Sequence, residues 1–399
     1  MIDLEEALDA IAAAGLLREL RTVESAPGPR VRLDGHDVLL LCSNDYLGLA
    51  EDPRVCAAAA QAALTWGAGS GSSRLVSGSL TLHRELEAEL AAFKGTEACV
   101  LFGSGFLANV GVVASLAGVG GVVFSDALNH ASLIDGCRLA AAETRVYPHS
   151  DVEALGAMLT KTGKRPATIV TESVFSMDGD AAPLAEIVDL AQEHDARVIV
   201  DEAHATGVVG PGGRGLVAAL GLEGRIDVII GTLSKALGSY GAFVCCSPTV
   251  AMFLINRART LIFSTALPPA SVAAAREALR IIRDEPAIVD RLRANARTLR
   301  IALAREGLDV TPGEIPIVPL IVGDPADAMA VCETSLAAGV FAQAIRPPTV
   351  PAGTARLRVV TMASHTEEDL RSAAATLGEA VHASGSQAAV RQRLPPKPA

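Results

Sequence analysis

The chain has 399 residues, half of them hydrophobic and a fifth charged, a composition that fits one large or two to three smaller globular domains and excludes a disordered or fibrous protein. Lys and Arg number 34 against 45 Asp and Glu, a net charge of −11 that leaves no general basic footprint for nucleic acid or anionic lipid. Seven Cys residues without any CxxC spacing read as buried, reduced thiols of a protein from a reducing compartment, and no metal site is expected from them.

The acidic start MIDLEEALDA lacks the pattern of a secretory leader. The mean hydropathy of +0.36 comes largely from Ala, and apolar runs are broken by charge short of the ~18 residues a membrane span needs. A soluble, cytoplasmic protein is expected. Leu and Ile at helical spacing predict a helix over 4–20, followed by a Pro/Gly linker at 27–29 and a body that starts near Val38. Short β-branched runs then alternate with Ala- and Leu-rich stretches: CVLF at 99–102, VVF at 122–124, TIVT at 168–171, RVIVD at 197–201, DVIIG at 227–231 and FVCC at 243–246. That alternation predicts an α/β fold with a mostly parallel central sheet and helices on both faces. Past Pro268 and Pro269 the pattern gives long helices over 271–306, then shorter strands at 315–322 and 356–361, a smaller C-terminal α+β domain. The expected division is 1–37 for the N-terminal helix and linker, 38–280 for the large domain, 281–382 for the small one, and 383–399 for a mobile tail rich in Ser, Gly, Gln and Pro.

Ligands of open parallel α/β sheets sit beyond the carboxyl ends of the strands, so residues that directly follow strand runs are the candidates for chemistry. Gly103, Ser104, Gly105 and Phe106 lead from one strand into a helix, where free amides and the helix dipole suit a phosphate. The same stretch fits the dinucleotide fingerprint through Gly103, Gly105, Ala108 and the later Asp126, and it also fits a plain tight turn. Asp201 ends a second run with His204 three residues on, either a carboxylate–imidazole pair at the sheet mouth or a helix cap beside a surface histidine. Lys235 follows a third run among Thr232 and Ser234, and burial there would make its amine a nucleophile. A phosphate cradle, an acid for a ring nitrogen and an imine-forming lysine are together the parts that pyridoxal 5'-phosphate (PLP) requires.

The ordered motifs SNDYLGL (43–49), GAGSGSSRLVSG (67–78), NHASLIDG (129–136), TESVFSMDGD (171–180), VDEAHATG (200–207), TLSKALG (232–238) and RPPTVPAGTARLR (346–358) resemble those of the α-oxoamine synthases over roughly residues 10 to 380. These are fold-type I PLP-dependent transferases that condense an amino acid with an acyl thioester and release CO2. The resemblance implies that Lys235 holds the cofactor as an imine and moves the Cα proton, and that Asp201 keeps the pyridine nitrogen protonated. It implies hydrogen bonds from His204 and Ser176 to the phenolic oxygen and a ring-stacking role for His130. Gly105, Phe106 and Thr232 would hold the phosphate, joined by Ser264 and Thr265 from the partner subunit of a homodimer. Arg358 would bind the amino-acid carboxylate with help from Asn44, while Arg18, Ser73 and Thr349 would line the substrate side. The RPPTVPAGTARLR string and Ser73, which stands where glycine-using members carry a bulkier Thr, imply L-alanine and a pimeloyl thioester of CoA or a carrier protein, giving 8-amino-7-oxononanoate for biotin biosynthesis. The alternatives are another member of the family using glycine or serine, a dinucleotide-dependent oxidoreductase, and a non-catalytic partner subunit.

Overall fold

The computed structural model of the chain describes residues 2–385. Its strands run in chain order as β1 (Arg30–Leu33), β2 (His36–Leu40), β3 (Ala98–Phe102), β4 (Val122–Asp126), β5 (Glu143–Tyr147), β6 (Ala167–Glu172), β7 (Arg197–Asp201), β8 (Val228–Thr232), β9 (Ala242–Cys246), β10 (Ile317–Gly323), β11 (Val340–Phe341), β12 (Gln343–Ile345) and β13 (Ala355–Val360). The described residues divide into two compact units, one of 49–176 with 180–289, the other of 2–48, 177–179 and 290–385.

The first unit is built on a seven-stranded sheet of order β3-β9-β8-β7-β6-β4-β5. All its pairings are parallel except those of β9, which runs antiparallel to both β3 and β8. Two antiparallel pairings in succession leave β3 parallel to β8, so the ends of β3, β4, β6, β7 and β8 all open on one edge. Apart from the exposed edge strand β5, the strands are buried on both faces, which explains their nearly continuous apolar runs. Alternate residues such as Val100, Val228, Ile230 and Val244 pack with Ala108, Val112 and Leu133 of the helices Gly105–Leu116 and Ala131–Leu139. On the opposite face the helix Thr81–Lys94 covers the sheet, its Leu90 carbonyl accepting from Cys245 Sγ at 3.8 Å.

The second unit holds two three-stranded sheets, β1-β2-β11 and β10-β13-β12. They share a core of residues such as Val31, Leu41, Leu320, Leu357 and Leu377. Residues 38–48, expected in the large domain, belong here because Leu39 and Leu40 of β2 pair in parallel with Val340 and Phe341 of β11. The C-terminal boundary likewise falls at 289/290 and not at 280/281, because position 280 lies inside the helix Pro269–Asp284, which stays whole in the first unit. The N-terminal helix is shorter than expected, Leu4–Ala13, and buries none of its residues. A C-terminal helix, Glu367–Ala383, ends at the first residue of the expected tail. The remainder of that tail, 386–399, lies outside the described residues. Five of the seven free cysteines are buried as expected, but Cys56 is exposed and Cys42 only partly covered.

Candidate active site

In the first unit, the ends of β3, β6, β7 and β8 and the starts of two helices bring the expected groups to a single edge. The chain leaves β3 through Gly103 and Ser104, whose side chain caps the helix Gly105–Leu116 by accepting from Leu107 N at 3.2 Å. The first turn of that helix has amides without intrahelical acceptors, a ready anion cradle. A side chain on Gly105 would come 3.9 Å from Thr232 Cβ, so the cradle and the end of β8 adjoin. Thr232 Oγ1 in turn contacts Ser234 Oγ at 2.7 Å and donates to Gly241 O at 3.1 Å. Ser264 Oγ lies 3.7 Å from where a Cβ on Gly103 would stand, and Thr265 bridges Ser73. Within a single chain these two hydroxyl residues therefore already border the Gly103 turn; their expected reach into a partner's site concerns the assembly.

Lys235, half-buried just after β8, has its Nζ 2.7 Å from Nε2 of buried His204. Asp201, at the end of β7, accepts Ala203 N on Oδ1 at 2.7 Å and Asn109 Nδ2 on Oδ2, also at 2.7 Å. The Ala203 bond closes a local turn and caps no helix, since 202–210 is turn and loop, and the second oxygen is held by Asn109. His130 is the N-cap of the helix Ala131–Leu139, its Nδ1 in contact with Ser132 Oγ at 2.7 Å and with Ser132 N at 3.3 Å. As a residue His130 is solvent-exposed. Burial of its surroundings holds its pKa below the ordinary histidine value, against the pull of Asp201 and with the help of Lys235. Ser176 is buried in the loop after β6.

Three functional positions escaped the sequence reading. Asn109 is buried inside an apolar helix and binds Asp201 and Ser132. Ser132 is fully buried beneath His130. Glu172 ends β6 in register with Asp201 and is buried, with Oε1 lacking a partner among the described residues. Desolvation, with Asp201 adding to it, lifts the Glu172 carboxyl well above the usual carboxylate range. The TESVFSMDGD motif contained this residue, but nothing in the motif distinguished it from a strand-end glutamate.

Asp126, the acid the dinucleotide reading required, is already engaged. Its Oδ1 binds His149 Nδ1 at 2.9 Å and Leu128 N at 2.8 Å, and its Oδ2 binds Ser150 N at 2.9 Å. The donor set instead fits PLP: an amine, a carboxylate, an imidazole ring face, a phosphate cradle and an orphaned buried oxygen on Glu172. Among the described residues no group of three or more His, Cys, Asp or Glu could hold a metal ion.

The second unit carries the remaining candidates. Arg358, on β13 and buried, donates from Nη1 to Asn44 Oδ1 at 3.0 Å and from Nη2 to Tyr46 Oη at 3.4 Å. Arg18 and Thr349, both exposed, line one cavity of about 770 Å³ together with Arg21, Glu333 and Arg346. Arg346 braces the segment after the N-terminal helix by donating to Leu17 O at 3.1 Å and to Gly15 O.

Comparison with known proteins agrees with this chemistry. Residues 36–377 match the family model of class I and II aminotransferases. The chain is 51% identical over 358 residues to the 8-amino-7-oxononanoate synthase of Anaeromyxobacter dehalogenans (strain 2CP-1), covering 90% of each. Among solved structures, a PLP-bound serine palmitoyltransferase from S. paucimobilis superposes with TM-score 0.91 at 34% identity, covering 96% of this chain and 97% of that one. An 8-amino-7-oxononanoate synthase from Francisella tularensis gives TM-score 0.74 at 26% identity, covering 87% and 98%.

Proposed function

Because the chain belongs to the class I and II aminotransferase family and, within it, to the PLP-dependent α-oxoamine synthases, we propose that it joins L-alanine to a pimeloyl thioester with loss of CO2. The products are 8-amino-7-oxononanoate, the free thiol of the acyl carrier and CO2, a step of biotin biosynthesis. The observation that carries this reading is the Lys235 Nζ–His204 Nε2 pair, on the same sheet edge as an Asp201 held by Asn109.

Bound PLP supplies an aldehyde that captures amines and a pyridinium ring that withdraws electrons from the substrate Cα. Lys235 Nζ, 2.7 Å from His204 Nε2, is the amine that would hold PLP through this aldehyde, and with substrate present it would move the Cα proton while His204 steadies the charge. Asp201 would hold the proton on the ring nitrogen, a charge pairing that strengthens in a site shielded from water. His204 and Ser176 would hydrogen-bond the phenolic oxygen, and His130 would stack on the ring of the cofactor. The amides of Gly105 and Phe106, with Thr232, would hold the phosphate. Arg358 binds the amino-acid carboxylate through its planar fork, with Asn44 setting the plane. Ser73 leaves room for the alanine methyl, and Arg18 and Thr349 bind on the acyl side.

A homodimer fits this reading. Leu75, Val76, Phe106, Tyr240 and Phe263 are exposed large side chains of the first unit, and burial against a second copy would remove them from water. Ser264 and Thr265 would then serve the partner's phosphate. No helix among the described residues is long and apolar enough to cross a membrane, in keeping with a cytoplasmic enzyme.

A second reading, serine with a palmitoyl thioester, draws on the higher TM-score of the serine palmitoyltransferase structure. Release of free thiol, compared for alanine, glycine and serine against pimeloyl, succinyl, acetyl and palmitoyl thioesters, separates the two. Alanine with pimeloyl is expected to give the highest kcat/KM; a preference for serine with palmitoyl, or for glycine with succinyl, overturns the substrate assignment.

A further inference from the structure

The contacts of Asp201 and His130 converge on a pair of residues that no role above requires. Asn109 Nδ2 carries two hydrogens, and two acceptors stand at hydrogen-bond distance: Asp201 Oδ2 at 2.7 Å and Ser132 Oγ at 2.8 Å. A flipped amide would set Oδ1 against the Asp201 carboxylate, oxygen to oxygen, so the network itself assigns the amide's orientation. With its oxygen lone pairs receiving Asn109, Ser132 Oγ turns its own hydrogen toward His130 Nδ1, 2.7 Å away. Ser132 N donates to the same nitrogen at 3.3 Å. Two donors on Nδ1 leave the ring proton on Nε2.

The chain Asp201–Asn109–Ser132–His130 thus ties three separate elements: the end of β7, the helix Gly105–Leu116 and the first turn of the helix Ala131–Leu139. Asn109, Ser132 and Asp201 are all buried, with relative exposures of 2%, 0% and 6%. Away from water, a connected network of this kind is stiff, and its members polarise one another. The amide is planar, so its two N–H directions fix the carboxylate relative to the serine, and through the serine the imidazole.

We propose that Asn109 and Ser132 are positioning residues that hold Asp201 and His130 as one unit, orienting the carboxylate and locking His130 in its Nε2–H tautomer. This rests on the reading that PLP lies between those two groups. Asn109 and Ser132 touch neither cofactor nor substrate; they act through the residues that do. The charged and titratable groups that face His130 are Asp201 and Lys235, together with Glu172, whose carboxyl feels the His130 backbone amide.

The test uses the full-length chain with 15N-labelled histidine, with and without PLP, the His130 signals being assigned by their loss in His130→Gln. Wild type is expected to show the Nε2–H tautomer alone. Ser132→Ala removes one donor from Nδ1, so it is expected to give a tautomer mixture and a higher His130 titration midpoint. Asn109→Ala is expected to shift the pH dependence of the PLP absorption band and to lower kcat/KM by roughly ten- to a hundredfold, the worth of one hydrogen bond to a charged group. Thermal melting checks that each variant folds. An Nδ1–H tautomer in the wild type overturns the proposal without any variant, as does a folded Ser132→Ala protein whose tautomer and midpoint are unchanged. Failure of wild type to bind PLP would strike the preceding reading instead, while the spectra of the PLP-free chain still decide this one.

Discussion

The guanidinium of Arg358 has its plane set by Asn44 and Tyr46, at 3.0 and 3.4 Å, an arrangement that a lysine ammonium cannot reproduce because it lacks the planar fork. Arg358→Lys is therefore expected to raise the KM for the amino acid roughly ten- to a hundredfold while moving kcat less, a split that steady-state kinetics at saturating thioester reads directly. Equal loss in kcat with an unchanged KM would place the arginine elsewhere in the cycle. Glu172 makes a different kind of claim. Its orphaned Oε1 and raised pKa describe a carboxyl that stays protonated near neutrality, so the neutral isostere Glu172→Gln is expected to keep activity at pH 7 within about threefold, whereas Glu172→Ala leaves a cavity and its neighbours' donors unmet. If the Gln variant proved as damaged as the Ala variant, a charged role for Glu172 would follow.

Among elements, the helix Thr81–Lys94 is fastened to the segment after β7 by a buried ion pair. Lys94 Nζ reaches Glu202 Oε2 at 2.7 Å and Arg214 O at 2.7 Å, while Glu202 Oε1 accepts Val217 N at 2.9 Å. Lys94→Met strands the Glu202 charge in the interior and is expected to cost about 3 to 5 kcal/mol in denaturant unfolding. Adding Glu202→Leu should recover part of that loss; a single variant as stable as wild type would contradict the ion-pair argument. These contacts also show what the linear order of residues could and could not reveal. Lys235, Asp201 and His204 were legible because each directly follows an apolar strand run, and the parallel topology then delivers them to one edge. Asn109 was not, since it sits in an apolar helix and its partner Asp201 is 92 positions away. Strand β5 was missed for a related reason: as an edge strand it is largely exposed and polar (ETRVY), so it lacks the buried apolar run that marked the other six. The short pairing of β2 with β11 moved residues 38–48 out of the expected domain, and a three-hundred-residue separation leaves no periodic trace.

At the scale of the whole molecule, stability should depend on pH through His149. Burial opposes a charge on its ring, but hydrogen bonds and attraction from Asp126 and Asp180 outweigh it and hold the imidazolium to about 10. Because the folded value lies above the unfolded one near 6.5, the stabilisation is fully present below pH ~6.5 and fades as pH rises toward 10. Thermal melting from pH 6 to 10 is expected to show wild type losing stability across that window while His149→Gln loses less; parallel curves would remove His149 as the cause. Glu172, protonated when folded and ionised when unfolded, adds to the decline in the same sense. The measurement closest to the central claim is chemical. Purified protein loaded with PLP is treated with borohydride, digested and mapped by mass spectrometry. A reduced pyridoxyl adduct is expected on Lys235, with none on the Lys235→Ala protein, whose turnover is abolished. An adduct on another lysine, or undiminished turnover in Lys235→Ala, would contradict the account.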